Sequence, residues 1–357
     1  MITRVARRLF GAALCLAPLL GRAQAPEQIQ ALIKEGIALY DEGRLNQAAA
    51  KYQEALKLDP ASTYAKTELA LTYEGLDRHA DAAALCKEVL AAPGYRAEPS
   101  IYVTYGNALD GLKQPREAVK TYEQGLKKFP ASNQLYFNLG IALYGQHKAA
   151  EAVEALQQAV RLNPRHASAH LFLGLVTAET GNRVPAILEL SRYLVLEPRG
   201  ERARHYLPRL DQLLRGGAEK TGDNSVTLNV SSQTLKAANS GKGADNFAQT
   251  DMLLAMMAAL DYDDDNKDKT TTERTAEKLN DLIGNLSAKG SGSHRGFVWD
   301  YYVPYFQEMK RKDYVPVFAY LIRSAQSEEP DVQQWLLAHT VQVEVFQEWS
   351  KTYQWPK

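Results

Sequence analysis

The fold is decided by residues 133–166, which read NQLYFNLGIALYGQHKAAEAVEALQQAVRLNPRH. A glycine, Gly140, is followed 12 positions later by an alanine, Ala152, and four positions after that by the large apolar Leu156. Pro164 closes the stretch, and because proline cannot continue a helix it forces a turn there. The stretch therefore predicts two antiparallel helices that cross at small residues, since small side chains let helices approach closely.

This pattern recurs along the chain with a period of about 34 residues. The pairs of small residues separated by 12 positions are Gly36 and Ala48, Ala70 and Ala82, Gly106 and Ala118, Gly140 and Ala152, and Gly174 and Ala186. Pro130, Pro164 and Pro198 fall 34 residues apart. A single copy cannot bury its apolar face alone, so the copies are expected to stack on a shared core.

The five copies resemble the tetratricopeptide repeat family, which implies an all-α superhelix of helical hairpins. The resemblance covers about residues 29–198 and places the repeats at 29–62, 63–98, 99–132, 133–166 and 167–200. Helix 201–215 is predicted to cap an array that spans residues 26–216. The second copy is two residues longer and contains Pro93-Gly94, so a longer turn or a local distortion is expected there.

In this family the second, fifth, ninth and twelfth positions of each first helix line the concave surface. Carried over by register, the resemblance implies a partner-binding groove formed by Ile33, Ile37, Tyr40, Thr67, Leu71, Val103, Asn107, Phe137, Ile141, Tyr144, Leu171 and Leu175. The same positions also include Tyr64, Glu74 and Asp110 but almost no Lys or Arg. The family members that clamp a terminal carboxylate use such cations, so the resemblance does not imply that partner.

An apolar concave face of this kind is expected to be covered. A partner could lay an amphipathic helix or an apolar strand into it. The chain's own C-terminal part could instead fold back over it, or several of the side chains could simply pack between repeats. The sequence leaves these three alternatives open.

The first 25 residues have the layout of a secretory signal peptide. Met1–Arg8 carries three arginines and no acid, Leu9–Leu20 is a short apolar run, and Ala23-Gln24-Ala25 matches a cleavage site. The run Leu9–Leu20 is shorter than the roughly 20 apolar residues that a membrane span needs. No stable membrane insertion is therefore expected after cleavage. The protein is therefore predicted to be exported, to the bacterial periplasm or as a secreted protein.

Composition limits the classes of partner. The chain has 357 residues, 45% of them apolar and 24% charged, which excludes a wholly disordered protein. Removal of residues 1–25 takes four arginines from an even balance of 42 bases and 42 acids, leaving a net charge of −4. A general nucleic-acid binder needs an excess of cations facing phosphate, so none is expected. Cys86 occupies an apolar packing position of the second repeat and is predicted to be buried and unreactive.

The second half of the chain changes character. Residues 217–245 are rich in Gly, Ser, Asn, Thr and Lys and predict a linker, with a short hairpin around Val226–Val230 as an alternative. Helical patterns follow near 246–260, 272–288, 297–310, 314–324, 331–339 and 341–353. All four tryptophans lie after residue 298, and this density of large rings predicts a compact α-helical domain over 246–357.

An acidic cluster is the first candidate metal site. Asp261, Asp263 and Asp265 fit the first positions of a calcium-binding EF-hand loop, but position twelve is Thr272 and Glu273 comes one residue late. A turn that caps the following helix is the favoured interpretation.

A second candidate, His166 with His170, has the four-residue spacing of a helical metal pair. Pro164 places His166 in a turn, and no third ligand is obvious nearby. No metal and no cofactor are predicted.

No catalytic signature occurs: there is no G-x-S-x-G, H-E-x-x-H, P-loop or dinucleotide fingerprint. Gly290–His294 has the composition of a flexible loop, and the aromatic residues from Trp299 to Tyr305 form either a pocket or, more simply, a core. The sequence favours a non-catalytic scaffold that binds a protein or peptide partner. The alternative is an envelope enzyme or ligand sensor whose site lies in residues 246–357, with the repeats as its docking module.

Overall fold

A computed structural model of the chain describes residues 17–356 except 223–224, 241–242, 264–265, 287–294 and 327–329. The described residues form eighteen α-helices and one two-stranded hairpin, so the predicted all-α class is confirmed. The chain divides into two compact units, Met1–Pro130 and Ala131–Lys357.

The first unit consists of three helical hairpins. Its helices are α1 (Ala17–Asp41), α2 (Leu45–Leu58), α3 (Thr63–Gly75), α4 (His79–Ala91), α5 (Pro99–Gly111) and α6 (Pro115–Lys128). Consecutive helices pack in pairs, and each pair corresponds to one predicted repeat. Residues 1–16 of the predicted export signal lie outside the described residues, and the backbone is helical from Ala17 past Ala25 into the first repeat.

Small residues lie where paired helices cross. A Cβ atom built on Gly36 would lie 2.5 Å from Cε1 of Tyr52, and one built on Gly174 would lie 2.7 Å from Cγ of Leu190. A side chain at either glycine would force the facing Tyr52 or Leu190 to move. Cys86 is fully buried, as predicted, and burial raises the pKa of its thiol to about 12. The thiol is therefore protonated and unreactive at neutral pH.

Each hairpin turn places one residue in the left-handed region at the same register position. These residues are Gly43 (φ 74°), Asp77 (φ 56°), Lys113 (φ 61°), His147 (φ 60°) and Gly181 (φ 82°). The next amide then donates to a carbonyl five residues back, as Arg44 N does to Leu39 O at 2.9 Å, which satisfies a carbonyl at the helix end. Only the two glycines signal this conformation in the sequence, because the other three residue types rarely adopt it.

The second repeat has the longer connection that its sequence predicts. α4 ends at Ala91 and α5 begins at Pro99, whereas only residues 59–62 join α2 to α3. Gly94 turns the chain with φ 73°. The extra residues lie in this connection, so the helices of the third repeat keep their register.

The second unit contains the last two repeats and everything that follows them. Its elements are α7 (Asn133–Gly145), α8 (Ala149–Leu162), α9 (Ala167–Glu179), α10 (Arg183–Leu196), α11 (Glu201–Arg215), β1 (Ala218–Gly222), β2 (Ser225–Leu228), α12 (Ser232–Ser240), α13 (Ala248–Ala259), α14 (Thr271–Leu286), α15 (Phe297–Arg311), α16 (Val315–Ile322), α17 (Pro330–Ala338) and α18 (Thr340–Thr352). The predicted capping helix is α11, which buries Leu207, Leu210 and Leu214.

The predicted linker is more structured than its composition indicates. Within 217–245, β1 pairs antiparallel with β2, Ala218 opposite Leu228, and α12 follows. An isolated two-stranded hairpin is marginally stable, and here both strands contact α13. Asn246 Nδ2 also donates to Ala237 O of α12 at 3.0 Å. These tertiary contacts explain why a polar stretch forms regular elements.

The helices after residue 246 pack on the fifth repeat. α13, α15 and α16 contact α10, and every residue of α10 from Val184 to Val195 is buried. The predicted C-terminal domain therefore lies in the same compact unit as α7–α11. The only charged residues of that buried run, Glu189 and Arg192, are themselves fully buried.

Candidate functional site

We call the side chains at the second, fifth, ninth and twelfth positions of each repeat, which lie on its first helix, the first-helix face. In the first unit it is formed by α1, α3 and α5, with α3 in contact with both neighbours. Tyr64 and Leu71 are 55% and 37% exposed. The half-buried members are Ile37, Tyr40, Thr67, Val103 and Asn107. Ile33, also predicted to line the groove, is only 4% exposed and packs in the core.

The first-helix face of the second unit is formed by α7 and α9. Its half-buried members are Phe137, Ile141, Tyr144 and Leu175. The Phe137 ring lies edge-on to Phe172, with centroids 5.9 Å apart, and 4.7 Å from the ring of His166. Leu171 is only 1% exposed, so it does not contribute to the accessible face.

Polar groups border this apolar surface. Tyr144 OH donates to Glu179 Oε1 at 2.5 Å, and this hydrogen bond, followed by burial, raises the pKa of Tyr144. Asn133 Nδ2 lies 3.2 Å from Nδ1 of His166, and since an amide nitrogen only donates, the ring nitrogen accepts. Burial lowers the pKa of His166, which keeps the ring neutral. The face offers apolar contact and hydrogen bonding but no nucleophile paired with a base.

The C-terminal helices contact the other side of the repeats. Tyr301 OH donates to Val160 O of α8 at 2.7 Å, and Tyr302 OH lies 2.6 Å from Nδ1 of His170. Val160 is on a second helix, and His170 is at the fourth position of α9, off the first-helix face. Among the described residues, no hydrogen bond or ring contact joins 246–356 to Phe137, Ile141 or Tyr144. The hydrogen bonds that attach the C-terminal helices to α8 and α9 therefore lie outside these three residues of α7.

Arg192 anchors these helices to the fifth repeat. Its Nη1 donates to Ser350 Oγ at 2.6 Å and to Tyr305 OH at 3.3 Å. Its guanidinium lies 5.1 and 5.0 Å from the ring centroids of Tyr305 and Trp355. Burial of a cation costs several kcal/mol unless hydrogen bonds and aromatic faces offset it. Arg192 could not be identified from sequence reasoning. Its only signal in the sequence is its place in the apolar run of α10.

Two titratable groups in this buried layer are neutral. His170 Nε2 lies 3.0 Å from Pro164 O and carries the proton, so Nδ1 accepts from Tyr302 OH. Burial, followed by the charge of Arg192, lowers the pKa of His170 to about 3. Burial raises the pKa of Glu189 well above its usual value. Both ring nitrogens of His170 are occupied by protein groups, which leaves neither for a metal ion.

The aromatic residues from Trp299 to Tyr305 form a core and do not line a pocket. Tyr301, Tyr302 and Tyr305 are fully buried. Trp299 stacks on Phe247 with centroids 4.3 Å apart and planes 6° from parallel. The rings therefore serve packing, with their hydroxyl groups directed to polar partners.

The acidic cluster is only partly within the described residues. The Asp261 carboxylate pairs with Lys278, and Arg274 Nε lies 4.0 Å away, while Asp263 is exposed and Asp265 lies outside the described residues. Where the chain is described, no group of three or more His, Cys, Asp or Glu side chains is placed to hold a metal ion.

The segment after the cluster caps a helix. Glu273 N donates to Thr270 Oγ1 at 3.2 Å, and Thr270 N donates back to Glu273 Oε2 at 2.7 Å. This reciprocal pair is a capping box at the start of α14, in agreement with the helix-cap interpretation of the sequence.

A cavity of about 450 Å³ lies in the second unit beside the starts of α10 and α13. Asn182, Arg183, Asp245 and Asp251 are among its lining residues. Arg183 Nε donates to Asp251 Oδ1 at 2.5 Å and its Nη2 to Asp251 O at 2.6 Å, while Asp245 Oδ1 accepts from Val298 N at 2.8 Å. Arg183 and Asp251 pair with each other and Asp245 accepts from backbone amides, so the cavity offers mainly neutral polar contacts.

Three hairpins in the first unit and two in the second, each with a small residue at the helix crossing and an apolar first-helix face, define a helical-hairpin repeat protein. The tetratricopeptide repeat family matches residues 33–97, 105–146 and 137–201. Residues 33–201 therefore form an array of tetratricopeptide repeats, and the resemblance inferred from the sequence is confirmed.

Several solved structures are similar to about half of this chain. PilF of Pseudomonas aeruginosa is 24% identical, with 53% of this chain and 86% of PilF covered and a TM-score of 0.47. A tetratricopeptide repeat protein of Thermus thermophilus is 19% identical, with 52% and 98% covered and a TM-score of 0.45. YrrB, described as having an unusual peptide-binding site, is 21% identical, with 55% and 100% covered and a TM-score of 0.41. No curated protein sequence matches the chain significantly.

In the described part of the chain, no helix is both long enough and apolar enough to span a membrane.

Proposed function

We propose that this protein is an exported, non-catalytic scaffold that binds a protein or peptide partner through its first-helix faces, in the bacterial periplasm or cell envelope. The observation that carries the proposal is the face around Phe137, Ile141 and Tyr144, which stays accessible while the C-terminal helices pack on α10. Accessible apolar patches mark interaction sites, and tetratricopeptide repeat proteins bind peptides or proteins. Export is proposed from residues 1–25 alone.

Affinity capture from envelope extracts, read by mass spectrometry, tests the proposal. We expect the variant Phe137→Ala, Ile141→Ala, Tyr144→Ala to lose a partner that the parent captures. The matched control truncates three exposed apolar residues elsewhere, Leu337, Val341 and Val345, which are 77%, 68% and 50% exposed. Tryptophan fluorescence and circular dichroism show whether each variant is folded.

The two triple variants give distinguishable results. Loss of the partner in the first variant alone supports the groove. Capture of the same partners by that variant and the parent means that the groove is not the site. Loss in the control variant alone would instead place the contact on the surface formed by α17 and α18.

The alternative function, a ligand sensor in the C-terminal part, is favoured by one observation, the cavity of about 450 Å³. That volume suits a small molecule. A thermal-shift screen of the full chain tests it, with Ala237→Trp to fill the cavity. A ligand that stabilises the parent and not this variant would support the sensor.

A further inference from the structure

The bases of the first unit lie away from its first-helix face. Between residues 26 and 130, only Lys34 and Lys66 are on first helices, and Lys66 Nζ pairs with Glu88 Oε2 of α4 at 2.7 Å. The other eleven lysines and arginines of this range lie on second helices or connections. The unit therefore presents its cations on one side and few on the other.

Three carboxylates lie on or beside the first helices of this unit. Asp41 ends α1, Glu68 lies in the middle of α3, and Glu98 directly precedes α5. None of these three forms an ion pair with a residue in the described part of the chain. Burial, followed by the charges of Glu98 and Asp41, raises the pKa of Glu68, so both of these carboxylates lie close enough to act on Glu68.

A buried hydroxyl beneath the same face also lacks a partner. In the third repeat, Tyr122 OH donates to Asn107 Oδ1, at the ninth position of α5, at 2.7 Å. The equivalent Tyr52 of the first repeat is fully buried, but the ninth position of that repeat, counted from residue 29, is Ile37, which cannot accept. Tyr52 OH has no hydrogen-bond partner among the described residues. After burial, the charge of Glu68 is the largest influence on the pKa of Tyr52, which places this hydroxyl on the Glu68 side.

Apolar side chains complete the surface. Tyr64, 55% exposed, precedes Glu68 by one helical turn, and Leu71, 37% exposed, follows it by almost one turn. On α3, the carboxylate of Glu68 thus lies between two exposed apolar side chains. A ligand that matches both must carry apolar and cationic side chains at helical or extended spacing.

We propose that the first-helix face of the first unit, together with the carboxylates of Asp41, Glu68 and Glu98 beside it, binds a cationic amphipathic segment of a partner protein. Its Lys or Arg side chains would lie among these carboxylates and its apolar side chains on Tyr64 and Leu71. This inference rests on the proposed function and narrows its partner class. Each cation gains from several carboxylates at once, whereas an anionic segment or a terminal carboxylate is repelled.

Three synthetic amphipathic peptides test the proposal, with one apolar pattern and with Lys, Gln or Glu at every polar position. We expect the full chain to bind the Lys peptide at least about tenfold more tightly than the Gln peptide, and the Glu peptide not at all. Added salt should weaken the Lys peptide most, because exposed charges are screened over about 8 Å at physiological ionic strength.

The decisive variant is Asp41→Asn, Glu68→Gln, Glu98→Gln. It should reduce affinity for the Lys peptide by about tenfold or more. The matched control, Glu54→Gln, Glu117→Gln, Glu123→Gln, removes the same charge from second helices and should leave affinity within about twofold. Leu71→Ala should weaken all apolar contact without changing the preference for cations.

The inference is overturned if the two triple variants bind the Lys peptide equally, if the Glu peptide binds as well as the Lys peptide, or if no peptide binds. Those outcomes leave the proposed function to its own test. Partner capture that depends on Phe137, Ile141 and Tyr144 would still support a binding scaffold whose partner is not cationic.

Discussion

The second helices of the third and fifth repeats occupy the same place in their hairpins but have opposite outer surfaces. α6, PREAVKTYEQGLKK, buries Ala118, Val119, Thr121, Tyr122 and Gly125 and exposes its charges. α10, RVPAILELSRYLVL, buries all twelve residues from Val184 to Val195. In register, Leu188 replaces Lys120 and Ser191 replaces Glu123. α10 has lost its solvent-facing side, and the C-terminal helices take that place.

The comparison of α6 with α10 shows which surface of the repeats the chain covers with its own helices and which surface it leaves accessible. The covering helices pack on a second helix and keep off the first-helix face of their own unit. A repeat array needs its last apolar surface covered, and α11 with the later helices does so here. The apolar side chains of α7 remain available to a partner.

The largest expected effect comes from making α10 resemble α6. Leu188→Lys removes a fully buried leucine and buries a charge without a partner, so it should lower the free energy of unfolding by about 3–5 kcal/mol. All four tryptophans lie in the second unit, so urea unfolding followed by tryptophan fluorescence reports this loss.

The reverse exchange, Lys120→Leu in α6, is the control. Lys120 is exposed, and surface substitutions usually change stability by less than about 0.5 kcal/mol. Circular dichroism measures it, because the first unit has no tryptophan. Similar losses for the two exchanges would contradict the assignment of α10 as a covered helix.

The free energy of unfolding should depend on pH through His170. With its pKa lowered to about 3, His170 is neutral when folded, whereas unfolded it has a pKa near about 6.5. Its contribution to stability is therefore present above about pH 6.5 and is lost as pH falls toward 3, by at most about 1.4 kcal/mol per pH unit. The stability difference between the parent and His170→Gln should shrink accordingly in urea unfolding.

Glu189 acts in the opposite direction. Its folded pKa is raised, so its contribution is present below the unfolded pKa of about 4.5 and is lost as pH rises. Glu189→Gln should gain stability over the parent as pH rises above that value. For His170, the contradicting result would be a difference in free energy of unfolding between the parent and His170→Gln that does not change with pH. That result would show that His170 is not buried as described.

The smallest effects compare three tyrosine hydroxyl groups by substitution with phenylalanine. Tyr302→Phe leaves the buried Nδ1 of His170 without a donor and should cost about 1–3 kcal/mol. Tyr122→Phe loses one hydrogen bond to half-buried Asn107 and should cost about 1 kcal/mol. Tyr52→Phe removes a hydroxyl without a partner and should cost nothing or stabilise. Urea unfolding checks the order, and a large cost at Tyr52 would contradict it.

Much of the fold is readable because its signals are local. The 34-residue period fixes α1–α10, and apolar spacing places α13–α18 within a few residues of their observed ends. The β-hairpin and α12 were underestimated because their stability comes from contacts with α13, not from their own composition. The attachment to α10 depends on residues more than a hundred positions apart, such as Arg192 and Tyr305. The available signal was the apolar run from Val184 to Val195.

The candidate groove follows from register, with limits that are physical. Register tells which side of a helix a residue occupies but not how deep it lies, so Ile33 and Leu171 were expected on the face and are buried. The acidic character of the first unit's face was missed for a similar reason. Its carboxylates come from a helix end, a helix middle and a connection, and only the packing of these elements brings Asp41 and Glu98 close enough to act on the pKa of Glu68.

In the second unit, the C-terminal helices cover α10, and we expect the first-helix face around Tyr144 to remain open. Cysteine labelling of the folded full chain tests it most directly, with Tyr144→Cys and Ser191→Cys introduced separately into a Cys15→Ser background, in which Cys86 is buried. We expect a thiol reagent to modify Tyr144→Cys rapidly in the free protein and to modify Ser191→Cys only on unfolding. Protection of Tyr144→Cys together with rapid modification of Ser191→Cys would contradict it.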